Sequence, residues 1–251
     1  MARRPLYEDL GTGYAAVRRA DPRIAAVIHE ALGTSASVVN VGAGTGSYEP
    51  RDRWVLAVEP AATMIDQRPP AAAPVVVATA EELPLASGTV DAAMAVLSVH
   101  HWRDARAGLC ELRRVARQVV VVLTFDPARI GAFWLVRQYL PEIGVLDRGR
   151  FPAMSFYREV LPTARVQRVP VPADCVDGFL GAFWSRPEAY LDPTVRAGMS
   201  ALRQLDAAVL ERGLAALARD LESGAWDGLH GHFREARQLD LGYRLIVAPL
   251  G

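Results

Sequence analysis

The sequence predicts an α/β fold: a doubly wound, seven-stranded, mostly parallel sheet with a helical insertion before the last strand. Three observations predict it. Short apolar, β-branched runs recur along the chain, stretches with helical spacing separate them, and a glycine-rich turn follows the first run directly. Strands that alternate with helices pair in parallel, with the helices covering both faces of the sheet.

The elements follow in order. From Asp21 to Leu32, Ile24, Ala25, Val27, Ile28 and Leu32 keep helical spacing, and Pro22 suits a first turn because its missing N–H is not needed there. Ser37 to Val41 is an apolar run that stops at glycine, as a strand buried on both faces does. Trp54 to Val58 is the second strand; Ala61 to Gln67 forms a short helix closed by Pro69 and Pro70. Val75 to Ala78, Val90 to Leu97 and Val119 to Thr124 supply three more strands, with a helix over Ala105 to Ala116. Ile130 to Tyr139 reads as helix and Ala164 to Val171 as a sixth strand. Asp174 to Trp184, Thr194 to Leu221 and Ala225 to Leu239 carry helix-type spacing, and Gly242 to Ala248 returns as the last strand. With no repeat and no low-complexity linker, residues 1–251 read as one domain, and 172–240 as a helical cap inserted within it.

Charge and composition exclude several classes. Lys plus Arg number 28 and Asp plus Glu 28, which leaves no surplus positive charge for a phosphate backbone, so nucleic acid is not an expected partner. Arg113, Arg114 and Arg117 lie close together, but such spacing marks a solvated helix face. No apolar run reaches the roughly 18 residues needed to span a bilayer, and the start, Met1-Ala-Arg-Arg-Pro, leads into charged residues instead of the apolar segment of a secretory leader. Cys110 and Cys175 have neither paired spacing nor a His cluster, so no metal site is expected and a reduced, cytoplasmic setting fits. Oligomeric state is not legible.

The most informative segment is Val41-Gly42-Ala43-Gly44-Thr45-Gly46-Ser47, directly after the first strand. Glycines let the backbone turn sharply and approach a ligand that a Cβ would push away. A dinucleotide fingerprint, Gly-x-Gly-x-x-Gly, would need glycine at position 47, where Ser47 stands, and the short stretch from Gly46 to Glu59 leaves little room for a full phosphate-binding helix. Glu59 ends the second strand, where a carboxylate can accept hydrogen bonds from both hydroxyls of a ribose.

Four segments resemble the class I S-adenosylmethionine-dependent methyltransferases, in particular the group related to ubiquinone-biosynthesis methyltransferases. They are Val38 to Gly46, Ala57 to Met64, Ala78 to Leu85 and Val90 to Trp102, in that order. The resemblance implies a Rossmann-like methyltransferase fold with S-adenosylmethionine as cofactor. It implies that Gly42, Ala43, Gly44 and Gly46 line the methionine and ribose portion and that Glu59 holds the ribose. Pro60 and Met64 would flank the adenine, Thr79, Ala80 and Glu81 would run along its polar edge, and Leu97 would lie near the cofactor. Two departures stand out: Asn40 and Thr79 replace aspartates common in the family. The amide oxygen of Asn40 can still accept from the cofactor's amino group, but charge attraction is lost, so either affinity falls or another group compensates.

Methyl transfer from a sulfonium is an in-line displacement, so positioning and water exclusion come first and a base is optional. His100 and His101 follow the fourth strand, at the sheet end that borders a ligand crevice, and are the candidate catalytic pair; family members carry polar residues there without catalytic use. His230 and His232, one residue apart, make a weak metal pair and read as a surface turn. Phe133, Trp134, Tyr139, Phe156, Tyr157, Phe179, Phe183, Trp184 and Tyr190 could line an acceptor pocket or pack the cap onto the sheet. Tyr7, Tyr14, Arg18 and Arg19 could form an amino-terminal lid or dock a helix. The expectation is methyl transfer to an oxygen, nitrogen or carbon atom of a small-molecule metabolite. The alternatives are a non-methylating enzyme such as a cyclase, or a non-catalytic partner protein on the same fold.

Overall fold

The computed structural model describes residues 17–251. Its central sheet has the order β3-β2-β1-β4-β5-β9-β6, where β1 is Ser37–Val41, β2 Trp54–Val58, β3 Val75–Val76, β4 Val90–Val96, β5 Ala116–Phe125, β6 Arg165–Arg168 and β9 Tyr243–Pro249. The pairs β1/β2, β2/β3, β1/β4 and β4/β5 are parallel, and β9 runs antiparallel to both β5 and β6. This is the predicted seven-stranded, mostly parallel sheet. Among the described residues no helix is long and apolar enough to cross a membrane.

Alternation along the strands builds two cores. On one face Val38, Met94, Val119, Val121 and Leu123 pack with Ile24 and Ile28 of helix α1 (Pro22–Ala31). Helix α1 starts where expected, because the Asp21 side chain accepts from the Arg23 N–H at 3.0 Å and Pro22 occupies the first turn. On the other face Val39, Val41, Ala93, Val120 and Val122 meet Leu109, Leu112 and Val115 of α3 (Ala105–Val115) and Tyr157 of α5 (Met154–Val160). The short α2 (Ala62–Ile65) follows β2.

Past β5 the structure departs from the expected elements. Ile130 to Tyr139 is not one α-helix: a 3₁₀ turn over Pro127–Ala132 gives way at the extended Phe133, and Leu135–Tyr139 is a π turn closed by the Leu140 N–H on the Leu135 carbonyl (2.9 Å). Pro141 then opens α4 (Pro141–Arg148), a helix that short apolar spacing did not reveal. The strand expected over Ala164 to Val171 is cut by Pro170, which has no N–H for the ladder. After it, β7 (Val171–Pro172) pairs with β8 (Gln238–Leu239) in a separate two-stranded ribbon. Asp174 to Trp184 holds only a 3₁₀ turn, Leu180–Phe183, because the Asp177 carboxylate binds the Gly178 N–H and ends any helix there.

Thr194 to Leu221 breaks into α6 (Pro193–Arg196), α7 (Ser200–Arg203) and α8 (Ala207–Glu222), since Asp206 spends its side chain on the Ala208 and Val209 N–H groups as a new cap. Ala225 to Leu239 divides into α9 (Ala225–His230) and α10 (His232–Glu235) before β8. These pieces bury Trp184, Tyr190, Leu217 and Trp226 on the α1 side of the sheet, together with Trp134 and Leu135 from the stretch before α4.

Candidate active site

At the carboxyl ends of β1, β2 and β4 the chain leaves a cleft of about 760 Å³. Its floor is the turn after β1, where Gly42, Gly44 and Gly46 take positive φ of 67°, 52° and 85°. A Cβ on Gly42 would sit 2.6 Å from the Ser98 Cβ, so both the φ and the space require glycine there. The N–H groups of Gly42 and Ala43 donate to the Val58 carbonyl at 2.9 and 3.1 Å, which ties the turn to β2. Glu59 reinforces that tie: its carboxylate accepts from the Gly44 N–H at 2.8 Å and the Ala61 N–H at 3.0 Å. Glu59 is 6% exposed, and what surface it keeps faces the cleft.

Of the residues expected at a cofactor, Asn40, Gly42, Ala43, Gly44, Glu59, Pro60, Met64, Thr79, Ala80, Glu81 and Leu97 all line this cleft, as do His100 and His101. Gly46 does not. It lies behind the turn, where an added Cβ would meet Glu49 Oε2 at 2.9 Å and Arg68 at 3.2 Å. Glu81 has a second task, since its carboxylate accepts from the N–H groups of Arg103 (2.7 Å) and Asp104 (3.1 Å) and anchors the loop before α3. Sequence reasoning missed Tyr48, Ser98, Trp102 and Arg150, which come from loops and have no periodic signal.

The Asn40 departure has a structural reason. Its amide donates to Glu49 Oε1 at 3.2 Å, and Glu49 is in turn gripped by Arg68 at 2.8 Å in a buried ion pair. An aspartate at 40 would face that carboxylate and repel it. Among the described residues the buried Asn40 Oδ1 has no hydrogen-bond partner, an acceptor that a ligand amino group would satisfy. An orphaned acceptor, a braced carboxylate and a glycine floor together fit the amino, ribose and backbone-hugging parts of S-adenosylmethionine. We expect Asn40→Asp to weaken S-adenosylhomocysteine binding, by roughly tenfold, despite restoring the charge common elsewhere; isothermal calorimetry reads it, and tighter binding would remove this account of the site.

His100 and His101 sit on a 3₁₀ turn, Val99–His101, after β4. Their rings lie 3.8 Å apart, and His100 stacks on Phe151 at 4.0 Å. Burial, then the Arg150 and Arg18 guanidiniums, push His101 down to about 3; burial, His101 and the same arginines hold His100 well below the usual imidazole range. Both are therefore neutral at pH 7. In the unfolded chain they take protons below about pH 6.5, while the folded chain refuses them, so stability falls as pH drops from 6.5 towards 3. His101 alone should cost roughly 2 kcal/mol at pH 5 relative to pH 7. Melting curves from pH 4 to 7 should show His101→Gln with a visibly flatter acid limb than the parent chain.

Beside the cleft lies a second space of about 80 Å³, sharing Arg18, Leu97, His100 and Arg150 with it and walled by Phe125, Phe133, Phe151, Phe179 and Tyr243. Leu97 stands at the junction with φ of 50°, the one described residue other than glycine with positive φ; such backbone strain gathers at working sites. Arg18 is held by Asp177 at 2.6 Å, and Tyr48 donates to the same carboxylate at 2.7 Å. Of the aromatic candidates, Phe133 and Phe179 reach this space. Trp134, Trp184 and Tyr190 pack the cap, with the Trp134 indole donating to the Trp184 carbonyl at 2.8 Å, and Tyr157 lies under the opposite face against Thr124. Tyr7 and Tyr14 lie outside the described residues. His230 is buried beside Gln138 and Trp226 instead of forming a surface turn, and the described residues hold no group of three or more potential metal ligands.

A methyltransferase-domain family model matches residues 39–123. No curated protein matches the chain. Among solved structures, a protein of Anabaena variabilis described as a methyltransferase from an antibiotic biosynthesis pathway is 31% identical, with a TM-score of 0.86 over 92% of this chain and 98% of that one. A SAM-dependent methyltransferase of Thermotoga maritima is 20% identical, with a TM-score of 0.51 over 65% of this chain and 83% of that one. Geranyl diphosphate C-methyltransferase of Streptomyces coelicolor, crystallised with Mg2+, geranyl diphosphate and S-adenosyl-L-homocysteine, is 14% identical, with a TM-score of 0.52 over 90% of this chain and 77% of that one. The last two likenesses are of fold.

Proposed function

Since the chain belongs to the S-adenosylmethionine-dependent methyltransferases, we propose that it moves the cofactor's methyl group to an oxygen, nitrogen or carbon atom of a small organic molecule. The observation that carries this reading is the junction of two spaces. The large cleft holds the polar groups suited to the cofactor, and the small aromatic space opens beside it at Leu97 and His100. An apolar pocket with a few polar groups is what a small organic acceptor requires. The Anabaena neighbour, described as part of an antibiotic pathway, supports an acceptor of that kind.

In this reading Glu59 accepts the ribose hydroxyls, Asn40 receives the cofactor's amino group on Oδ1, and Gly42, Ala43 and Gly44 let the ligand approach the backbone. Pro60 and Met64 flank the adenine, with Thr79, Ala80 and Glu81 along its edge. The bound cofactor supplies an electrophilic methyl carbon. The chain's part is to hold the acceptor against it and keep water away. Neutral His100 and His101 help to shape the passage between the spaces. Residues 172–240 act as the cap that selects the acceptor, within one domain, and the segment likeness to ubiquinone-biosynthesis methyltransferases belongs to the same reading.

Calorimetry with S-adenosylhomocysteine, followed by labelled methyl transfer to a panel of phenols, acids and amines, tests this function. Binding with transfer to a panel member is the expected result. A chain that binds neither S-adenosylmethionine nor S-adenosylhomocysteine would sink it.

A further inference from the structure

Asp147 is the penultimate residue of α4, and it is 6% exposed. Its backbone carbonyl accepts the N–H groups of Arg150 (3.1 Å) and Phe151 (3.0 Å) and so shapes the end of the helix. Its carboxylate contributes nothing comparable. Among the described residues it takes no hydrogen bond and forms no ion pair, and the one charge acting on it is the more distant Arg150 guanidinium. A carboxylate this largely buried with no protein partner is costly, and the carbonyl end of a helix adds to the cost. An asparagine or leucine of similar size would avoid it. Groups kept in a fold against its stability gather at working sites.

The place of this carboxylate gives it a use. It lines the small aromatic space together with Tyr243 and His100, and His100 also borders the cofactor cleft. Arg18, Leu97, His100 and Arg150 border both this space and the cofactor cleft, so an acceptor held here would lie beside the cofactor with its O–H or N–H group between the carboxylate and the cleft. The other charged or titratable groups around it are accounted for. Arg18 is paired with Asp177, Arg150 bonds Gln204, and Tyr243 accepts the Gly181 N–H at 3.3 Å. His100 and His101 are held neutral and weakly basic by burial and the two arginines.

We propose that Asp147 is the catalytic base of the acceptor pocket, and that the acceptor therefore presents an O–H or N–H group to its carboxylate. The proposal rests on the methyltransferase reading above. In the reaction the acceptor's lone pair forms the new bond to the methyl carbon, and the carbon–sulfur bond breaks with its electron pair left on sulfur. The acceptor's proton passes to an Asp147 oxygen, and the resulting acid returns it to water as product leaves. Burial raises the Asp147 carboxyl to about 6, against the smaller opposing pull of Arg150, so it is ionised at neutral pH yet basic enough to take a proton.

Asp147→Asn in the full chain tests this through three measurements: melting temperature, S-adenosylhomocysteine affinity by calorimetry, and labelled methyl transfer to phenols, hydroxy acids and primary amines from pH 5 to 9. We expect a melting temperature equal to or above that of the parent and an S-adenosylhomocysteine affinity within about twofold. We also expect transfer to oxygen or nitrogen that rises through pH ~6 in the parent and is lost by roughly 100-fold or more in the variant. Transfer by Asp147→Asn within about threefold of the parent would overturn the proposal. So would transfer to carbon alone, a panel left untouched by a parent chain that binds S-adenosylhomocysteine, or a variant that loses activity together with a lowered melting temperature. Failure of the parent chain to bind S-adenosylhomocysteine is a different result, and it overturns the methyltransferase reading itself.

Discussion

Replacing Glu59 by alanine should reduce S-adenosylhomocysteine affinity by roughly 100-fold, or about 3 kcal/mol. Two losses combine. In the proposed reading the carboxylate accepts two ribose hydroxyls, and a hydrogen bond to a charged acceptor contributes about 1.5–3 kcal/mol. It also braces the floor of the cleft through Gly44 and Ala61, whose N–H groups would be left without an acceptor. Glu59→Gln separates the two effects, because the amide oxygen still accepts one N–H while the amide nitrogen accepts none. We expect an intermediate loss, near tenfold, for Glu59→Gln. Calorimetry on both variants, with circular dichroism to verify folding, checks this. Unchanged affinity in Glu59→Ala would remove Glu59 from the cofactor site.

Gly42→Ala should be the most damaging single-methyl change in the site. Alanine at a φ of 67° costs roughly 1 kcal/mol, and the new Cβ would lie 2.6 Å from the Ser98 Cβ and 2.8 Å from its Oγ. Ser98 cannot withdraw easily, since its hydroxyl donates to the Val41 carbonyl at 3.0 Å inside the core. Overpacking of this kind costs typically 1–3 kcal/mol, so the total is about 3 kcal/mol, or roughly 6–12 °C in melting temperature for a chain of this size. S-adenosylhomocysteine binding should weaken as well, because the turn and Ser98 both line the cleft. Gly33→Ala is the control: Gly33 also has positive φ, 56°, but nothing lies within 4 Å of its added Cβ, so only the backbone term should appear. Equal melting temperatures for the two variants would refute the steric part of the argument.

The strands β1, β2, β4 and β5 were legible because each is a local property: a run rich in Val, Ala, Leu and Met, ended in β1, β2 and β5 by Gly42, Glu59 and Asp126. The residues that line the cleft were legible for a related reason, since the glycine turn, Glu59 and the segment at Thr79 to Glu81 each sit at a strand end that the sequence marks. Between Pro127 and Leu239 the reading was weaker. Helical spacing is visible there, but Pro141, Pro170, Asp177 and Asp206 cut it into shorter pieces, and those caps and breaks win over periodicity because each fixes or consumes a backbone hydrogen bond.

By itself the sequence determined the sheet, the floor of the cleft and the class of cofactor that suits it, because those depend on hydrophobic alternation and on residues adjacent in the chain. Only the tertiary structure decided what surrounds each polar group. Asn40 reads as a lost charge until Glu49 and Arg68 are found behind it. His100 and His101 read as a base pair until burial and two distant arginines are found holding them neutral. Asp147 carries no signal at all in one dimension, since a carboxylate near the end of a helix is ordinarily solvated. It shares its small space with Phe125, Phe151, Phe179 and Tyr243, which come from separate segments, and the electrostatic state of a group is set by neighbours in space.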